Sequence, residues 1–264
     1  MTWIVGRTIP FGYSVALSDI RVTLGDGREV DCLQKIYPVG PFIAMGFAGS
    51  VSIGFAMIER ARQLMNPLET GMAWEPDVVA EWWPSDAREV FAAMSSEAQE
   101  NGCHLLMIGA HPSKNNGDSS WAMSYVFRFR SPNFEATSTR ADEVVSIGSG
   151  EGVTEYMNAL ERMGGISEEA FQFLQLEQIR PGGSAWGLMQ SISHVVESTP
   201  TPGISHHLHV CLALRGEIRL STNNRETIGG DTSTDVVMPP VATTMEQLIV
   251  MLNLSAEAAA DARC

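Results

Sequence analysis

The period of the apolar residues alternates between that of a strand and that of a helix, and this alternation most constrains the fold of the chain. β-Prone runs bounded by Gly and Pro predict strands at 2–6, 13–18, 32–37, 42–45, 103–109, 121–129, 144–147, 207–214 and 218–220. Apolar residues at helical spacing predict helices at 50–65, 85–100, 153–163, 184–197 and 244–260. The main order is therefore strands, two helices, strands, two helices, strands. It favours an α+β fold with helices packed outside antiparallel sheets.

The segments between these elements set the expected boundaries. Residues 66–84 are rich in Pro and Trp and are predicted to be irregular, with Ser85 or Asp86 capping the next helix. The polar residues 221–243 are predicted to form an exposed loop. We therefore expect one domain over 1–220, followed by an extension that carries the last helix.

Composition excludes several classes of protein. The 264 residues carry a formal net charge of −14, and no Lys/Arg block indicates binding to nucleic acid. No apolar run is long enough to span a bilayer, and the first residues lack the pattern of a signal peptide. Cys32, Cys103, Cys211 and Cys264 lie far apart without a CxxC pair, so neither disulfides nor a zinc site is indicated. A reduced cytoplasmic compartment is the expectation.

Thr2 follows the initiator methionine and opens the first predicted strand. A methionine before a small threonine is commonly removed, which would leave a hydroxyl and a free α-amine on one residue. An α-amine with a pKa of about 7.7–8.0 can act as a base for its own side chain near neutral pH. Many chains begin Met-Thr, so an ordinary start is the plain alternative.

Lysine is scarce in this chain. Lys35 and Lys114 are the only lysines, and arginine supplies the other basic residues. A lysine retained against this bias indicates a site that needs a compact ammonium able to give up its proton. Biased codon usage explains the scarcity equally well.

Further motifs follow Thr2 in a fixed order along the chain. They are Ser18-Asp19 leading to Leu24-Gly25, Lys35 on the next predicted strand, Gly46-Phe47-Ala48-Gly49 behind an apolar run, and Ile147-Gly148-Ser149-Gly150 at a strand-to-helix junction. Together they resemble the N-terminal nucleophile (Ntn) hydrolases of the proteasome β-subunit and HslV type. The first fifty residues match well, and the order of elements continues to about residue 220. The resemblance implies a four-layer αββα sandwich of two antiparallel sheets flanked by helices.

The resemblance also implies a role for each matching residue. Thr2 would be the nucleophile, with its own α-amine as the base. Lys35, held by an ion pair with Asp19, would lower the pKa of the threonine hydroxyl and shuttle a proton. The backbone N–H of Gly46 would stabilise the oxyanion, an interaction typically worth about 10²–10³ in rate. Ser149 would orient the amine.

Each of these residues also has a plain structural interpretation. Lys35 would be a half-exposed strand lysine, and Asp19 a turn aspartate. Gly46 would simply let a strand end and a helix begin. Ser149 would cap a helix within a Gly-Ser-Gly turn.

One departure from the family pattern concerns the stretch before the last hairpin, where family members carry an aspartate. Residues 202–209 read Pro-Gly-Ile-Ser-His-His-Leu-His and contain no acid. Ser205, His206 or His207 would take its place, and the sequence does not choose among them. His207 and His209 alternate along a strand, so a histidine metal site is one interpretation and ordinary sheet and loop residues the other. No metal or cofactor is expected.

The resemblance therefore predicts a threonine peptidase or amidase in a ring-shaped homo-oligomer with its sites inside. The expected substrate is a peptide or an unfolded protein, and any ATPase partner is unspecified. A second interpretation is a non-catalytic scaffold subunit that retains Met1. A third is a small-molecule amidohydrolase on the same fold.

Overall fold

The computed structural model describes residues 2–70, 74–118, 120–139, 143–164, 183–221 and 238–261. The strands are β1 (Trp3–Ile9), β2 (Tyr13–Asp19), β3 (Arg21–Thr23), β4 (Glu29–Asp31), β5 (Ile36–Pro38), β6 (Ile43–Gly49), β7 (Cys103–Asn115), β8 (Ala122–Arg130), β9 (Thr137–Ser138), β10 (Val144–Gly148), β11 (Leu208–Leu214) and β12 (Glu217–Ser221). The α-helices are α1 (Val51–Met65), α2 (Pro67–Thr70), α3 (Pro76–Ala92), α4 (Ser96–Glu100), α5 (Thr154–Gly164), α6 (Gly183–Ser198) and α7 (Met245–Asp261), and a 3₁₀ turn spans Ser149–Gly152. The fold is α+β, as predicted.

The strands form two five-stranded antiparallel sheets and one small hairpin. The first sheet has the order β10-β1-β2-β11-β12, and the second has the order β5-β6-β7-β8-β9. Among the described strands, β3 and β4 pair only with each other, with Arg21 opposite Asp31. β1 therefore lies between β10 and β2, which brings the start of the chain beside the end of β10.

Three clusters of buried apolar residues organise the packing. One joins the two sheets and contains Ile4 and Ala16 from the first, with Ala48 and Leu106 from the second. A second cluster joins the other face of the first sheet to α5 and α6. A third joins the other face of the second sheet to α1 and α3. Strand alternation places Thr2 on the same face of β1 as Ile4, which is the face between the sheets.

The prediction that residues 66–84 are irregular is wrong. Helix α3 begins at Pro76, well before the predicted caps Ser85 and Asp86. Proline is favoured at the start of a helix because its missing N–H would have no partner there. Pro84 lies inside the same helix, where it removes a backbone hydrogen bond. Burial of Trp83 against the second sheet offsets that loss.

Two strand boundaries near the candidate site also differ from the prediction. The strand predicted at 32–37 is confined to Ile36–Pro38, so Lys35 precedes it. The strand predicted to end before Gly46 continues to Gly49. Burial along β6 explains the extension, because its residues up to Ala48 are buried between two neighbouring strands.

The predicted loop 221–243 lies mostly outside the described residues. Its described end pairs with the chain just before Lys35: the Ala242 N–H donates to the Cys32 carbonyl at 2.7 Å, and the Gln34 N–H donates to the Ala242 carbonyl at 3.0 Å. Among the described residues, no helix has both the length and the apolar character needed to cross a membrane.

Candidate active site

A cavity of about 680 Å³ lies beside Thr2. Its volume falls in the range of ligand sites in proteins. Its walls come from Thr2, Thr23, Leu24, Gly25, Ala48, Gly49, Ser50, Val51, Ser52, Asn101, His104, Gly148 and Ser149. Two of the predicted site residues, Thr2 and Ser149, therefore meet in one cavity.

Ser149 holds the main chain of Thr2. The Thr2 nitrogen donates to Ser149 Oγ at 2.9 Å, while Ser149 Oγ donates to the Thr2 carbonyl at 3.1 Å. The Ser149 N–H donates to the same carbonyl at 2.7 Å. The Thr2 nitrogen here is the peptide nitrogen that follows Met1, and removal of Met1 would turn it into the α-amine. Ser149 is therefore placed to orient that amine.

Gly148 permits this close approach. Its φ is +95°, a conformation that L side chains rarely adopt, and a Cβ there would lie 2.1 Å from the Thr2 carbonyl oxygen. A side chain at this position would push Ser149 away from Thr2. The glycine before Ser149 is therefore explained by its close contact with the Thr2 backbone.

Asp19 and Lys35 form a fully buried ion pair, and Asp19 bonds the N–H of Trp3, the residue after Thr2. Both residues are 0% exposed, and Lys35 Nζ lies 2.9 Å from each carboxylate oxygen of Asp19. The carboxylate also accepts hydrogen bonds from the backbone N–H groups of Trp3, Arg21 and Ser205, at 2.8, 3.0 and 3.4 Å. Asp19 is therefore neither a turn residue nor partly exposed, since it joins β1 to three other segments of the chain.

The ammonium of Lys35 has an acceptor for each of its protons. Besides the two Asp19 oxygens, Nζ donates to the Arg21 carbonyl at 2.6 Å. Burial lowers the pKa of Lys35, and the charge of Asp19 opposes that change. The half-exposed lysine of the plain interpretation is wrong. Lys35 is instead fully buried, and Asp19 balances the charge of its ammonium.

The structure does not bring Gly46 to the cavity wall. Gly46 lies inside β6, paired with Ile36 and Leu106, rather than at the end of the strand. Gly49, at the end of the same strand, does line it and has a φ of +100°. The Phe47 N–H donates to the Lys35 carbonyl at 3.1 Å. Because alternate N–H groups of a strand point the same way, the N–H of Gly49 points to the Lys35 side of β6 rather than to β7.

Asp31, which the sequence analysis missed, lies next to the Asp19–Lys35 pair. The Ser205 hydroxyl donates to Asp31 Oδ2 at 2.6 Å, and His207 Nδ1 lies 3.0 Å from the same oxygen. Arg21 Nε donates to Asp31 Oδ1 at 2.6 Å. Burial raises the pKa of Asp31, but these hydrogen bonds outweigh it and lower the pKa to about 2. Arg21 and Asp31 flank the Gly25–Gly27 turn at equal distances, a cross-strand signal of opposite charges that the sequence does carry.

His104 is a second residue that sequence reasoning missed. It lines the cavity next to Ala48, its register partner on β6. Burial and the nearby charge of Arg130 lower the pKa of His104. The lowered pKa favours a neutral imidazole at the cavity wall.

The histidines before the last hairpin do not form a metal site among the described residues. His207 contacts Asp31, whereas His209 lies buried on β11 opposite Ser18. Burial and the charge of Lys35 lower the pKa of His209 to about 4, so its ring is neutral at neutral pH. The sheet and loop interpretation of these residues agrees with this arrangement.

In the described part of the chain, one group of side chains could hold a metal ion by its spacing: Glu75, Asp77 and His111. His111 Nδ1 accepts backbone N–H groups from Ser113 and Lys114 at 3.1 and 2.9 Å. In the neutral ring the proton therefore sits on Nε2, 3.1 Å from Glu75. A metal at Nε2 would need that proton removed and Nδ1 protonated. The group does not suit a metal ion.

The chain was compared with models of known protein families and with curated proteins, and none of them matches it.

Proposed function

We propose that this protein is an N-terminal threonine hydrolase of the proteasome β-subunit and HslV type, acting as a peptidase or amidase. One observation carries the proposal: Thr2 is held by Ser149 at the wall of a cavity, beside a fully buried Asp19–Lys35 pair that bonds the N–H of the next residue. The four-layer αββα sandwich belongs to the same proposal. It is supported by two packed antiparallel sheets with helices on their other faces.

The proposed reaction begins after removal of Met1. The Thr2 hydroxyl oxygen attacks the substrate carbonyl carbon, and its proton passes to the α-amine. The ammonium of Lys35 favours the developing alkoxide, and its buried position strengthens that effect. Gly49, rather than Gly46, offers the backbone N–H that stabilises the oxyanion.

Collapse of the tetrahedral intermediate then breaks the carbon–nitrogen bond. The leaving nitrogen takes the proton held by the α-amine, and an ester to Thr2 remains. A water molecule then attacks the ester carbonyl carbon and gives a proton to the α-amine. The bond from that carbon to the Thr2 oxygen breaks, the oxygen takes the proton from the amine, and the carboxylic acid product leaves. Ser149 keeps the amine in place through both halves of the reaction.

The assembly and the substrate are proposed on the same basis. We propose a homo-oligomeric ring in a cytoplasmic setting that encloses the cavities and acts on peptides or unfolded proteins. Side chains such as Leu68 and Trp121, which are 95% and 49% exposed, supply apolar surface for contacts between subunits.

Intact mass with a threonine-directed electrophile tests the catalytic proposal. We expect the purified chain to lack Met1 and to gain one adduct at Thr2. Thr2→Ala keeps a small second residue, so Met1 should still be removed, but labelling and hydrolysis should fall by at least about 10³-fold. Thr2→Ser should keep labelling.

The other outcomes separate the alternatives. A chain that retains Met1 and takes no label contradicts the proposal and favours the scaffold subunit. A labelled chain that cleaves acyl-amide or penicillin-like probes but no peptide favours the small-molecule amidohydrolase.

A further inference from the structure

We propose that Asp31 is a positioning residue for the Asp19–Lys35 pair. It holds Arg21 and Ser205 in place, which are two of the three residues whose backbone N–H groups bond Asp19. Asp31 bonds the side chains of both residues, and both bond Asp19 through their N–H groups. The catalytic part of this inference rests on the proposed function, whereas the structural part does not.

The Arg21 connection reaches Lys35 directly. Arg21 Nε and Nη2 bind the two Asp31 oxygens at 2.6 and 3.3 Å, which fixes the guanidinium in a two-point contact. The Arg21 carbonyl accepts from Lys35 Nζ at 2.6 Å, and its N–H donates to Asp19 at 3.0 Å. A shift of Arg21 would therefore disturb both members of the buried pair.

Ser205 forms a second connection between Asp31 and Asp19. Ser205 is 0% exposed, and its hydroxyl donates to Asp31 while accepting the N–H of His207 at 3.0 Å. Its own N–H reaches Asp19 at 3.4 Å, a long contact that depends on where the loop lies. The segment before β11 contains no acid, so an acid from the β3–β4 hairpin anchors it instead.

Asp31 acts only through these neighbours, because it does not line the cavity beside Thr2. Its loss should therefore change how fast Thr2 reacts and leave substrate binding nearly unchanged. The hairpin offers a matched control: Glu29 also binds Arg21, at 3.0 Å, but has no contact with Ser205 among the described hydrogen bonds.

The structural test is amide hydrogen exchange at residue resolution in full-length Asp31→Asn and Glu29→Gln. In Asp31→Asn we expect faster exchange at Arg21 and Ser205. Trp3, whose N–H binds the same carboxylate but is held by β1, should be unchanged. Glu29→Gln should leave all three amides as in the wild type. Wild-type protection of Arg21 and Ser205 in Asp31→Asn overturns the inference, whether or not the chain is an enzyme.

Ser205→Ala serves where Asp31→Asn fails to fold. It removes the hydroxyl that binds Asp31 and keeps the backbone N–H. Exchange should then increase at Ser205 and stay unchanged at Arg21. Equal protection at Ser205 in this variant and in the wild type also overturns the inference.

The catalytic test is the concentration dependence of Thr2 labelling by the electrophile. Asp31→Asn should lower the maximal labelling rate constant by about 10–100-fold, the scale of a small misplacement of reacting groups, with the half-saturating concentration nearly unchanged. Glu29→Gln should stay near wild type. A change confined to the half-saturating concentration contradicts the positioning role. Absence of labelling in the wild type contradicts the proposed function instead, and hydrogen exchange then decides on Asp31.

Discussion

The two lysines of this chain each bind an aspartate, yet their surroundings differ. Lys35 lies 2.9 Å from Asp19, and both side chains are buried. Lys114 lies only 2.6 Å from Asp77, but its side chain is 51% exposed. The two pairs lie near opposite ends of β7. The Lys35 carbonyl accepts the N–H of Phe47, whose partner Leu105 is near the start of β7, whereas Lys114 is next to its last residue.

The shorter ion pair, Lys114–Asp77, says less about where a functional site lies. An exposed pair is screened by water and restricts two long side chains, so it contributes little. A buried pair persists only when hydrogen bonds satisfy both charges, as the backbone of Trp3, Arg21 and Ser205 does for Asp19. Burial and hydrogen-bond partners, rather than distance, therefore mark the candidate site.

Replacing each lysine is the strongest test of this comparison. Lys35→Met should reduce Thr2 labelling by about 10²–10³-fold, the range of a lost group that stabilises developing negative charge. It should also lower the free energy of unfolding by about 3–5 kcal/mol, because Asp19 is left charged and buried. Lys114→Met should leave labelling and the unfolding midpoint close to wild type. Chemical denaturation and labelling kinetics measure both effects.

A double variant separates stability from catalysis at Lys35. Asp19→Asn with Lys35→Met removes both charges, so much of the lost stability should return. Labelling should stay low, because the ammonium is still missing. Full recovery of labelling in the double variant would show that Lys35 matters only for folding.

Two glycines extend the comparison to the backbone. Gly49→Ala would place a Cβ 2.6 Å from the Gly102 carbonyl oxygen at a φ of +100°, so the backbone must shift at a residue that lines the cavity. We expect the labelling rate to fall by about 10²-fold. Gly117, near Lys114, also has a positive φ, but a Cβ there would meet open space. Gly117→Ala should strain its turn and leave labelling unchanged; equal effects of the two variants would exclude a role for Gly49.

The sequence predicted the elements around Thr2 better than the contacts among them. The β-prone runs of β1 and β2 and the helical period of α1 are local features, so the sequence predicts them directly. The placement of Thr2 beside Ser149 followed from the family resemblance rather than from local pattern, because the two residues are far apart along the chain.

Other features could not be read because tertiary packing decides them. Burial between β5 and β7 carries β6 past Gly46 to Gly49, against the local glycine signal. The start of α3 at Pro76 depends on packing that overrides a proline within the helix. The contact of Asp31 with Ser205 joins segments distant in the chain, and no local pattern encodes it.

The smallest expected effect concerns His209, the buried histidine near Lys35. Its pKa falls from an ordinary 6.5 to about 4, so the native state keeps the ring neutral where the unfolded chain binds a proton. The free energy of unfolding should therefore decrease as pH falls from about 6.5 to about 4, with His209 contributing about 2–3 kcal/mol of that decrease. His209→Gln should remove this part of the difference between urea unfolding at pH 7 and at pH 4.5. His194→Gln, at an exposed position on α6, should keep it. If the free energy of unfolding depends on pH equally in the two variants, His209 is not shielded from water. The surroundings of Lys35 would then be as accessible to water as those of Lys114.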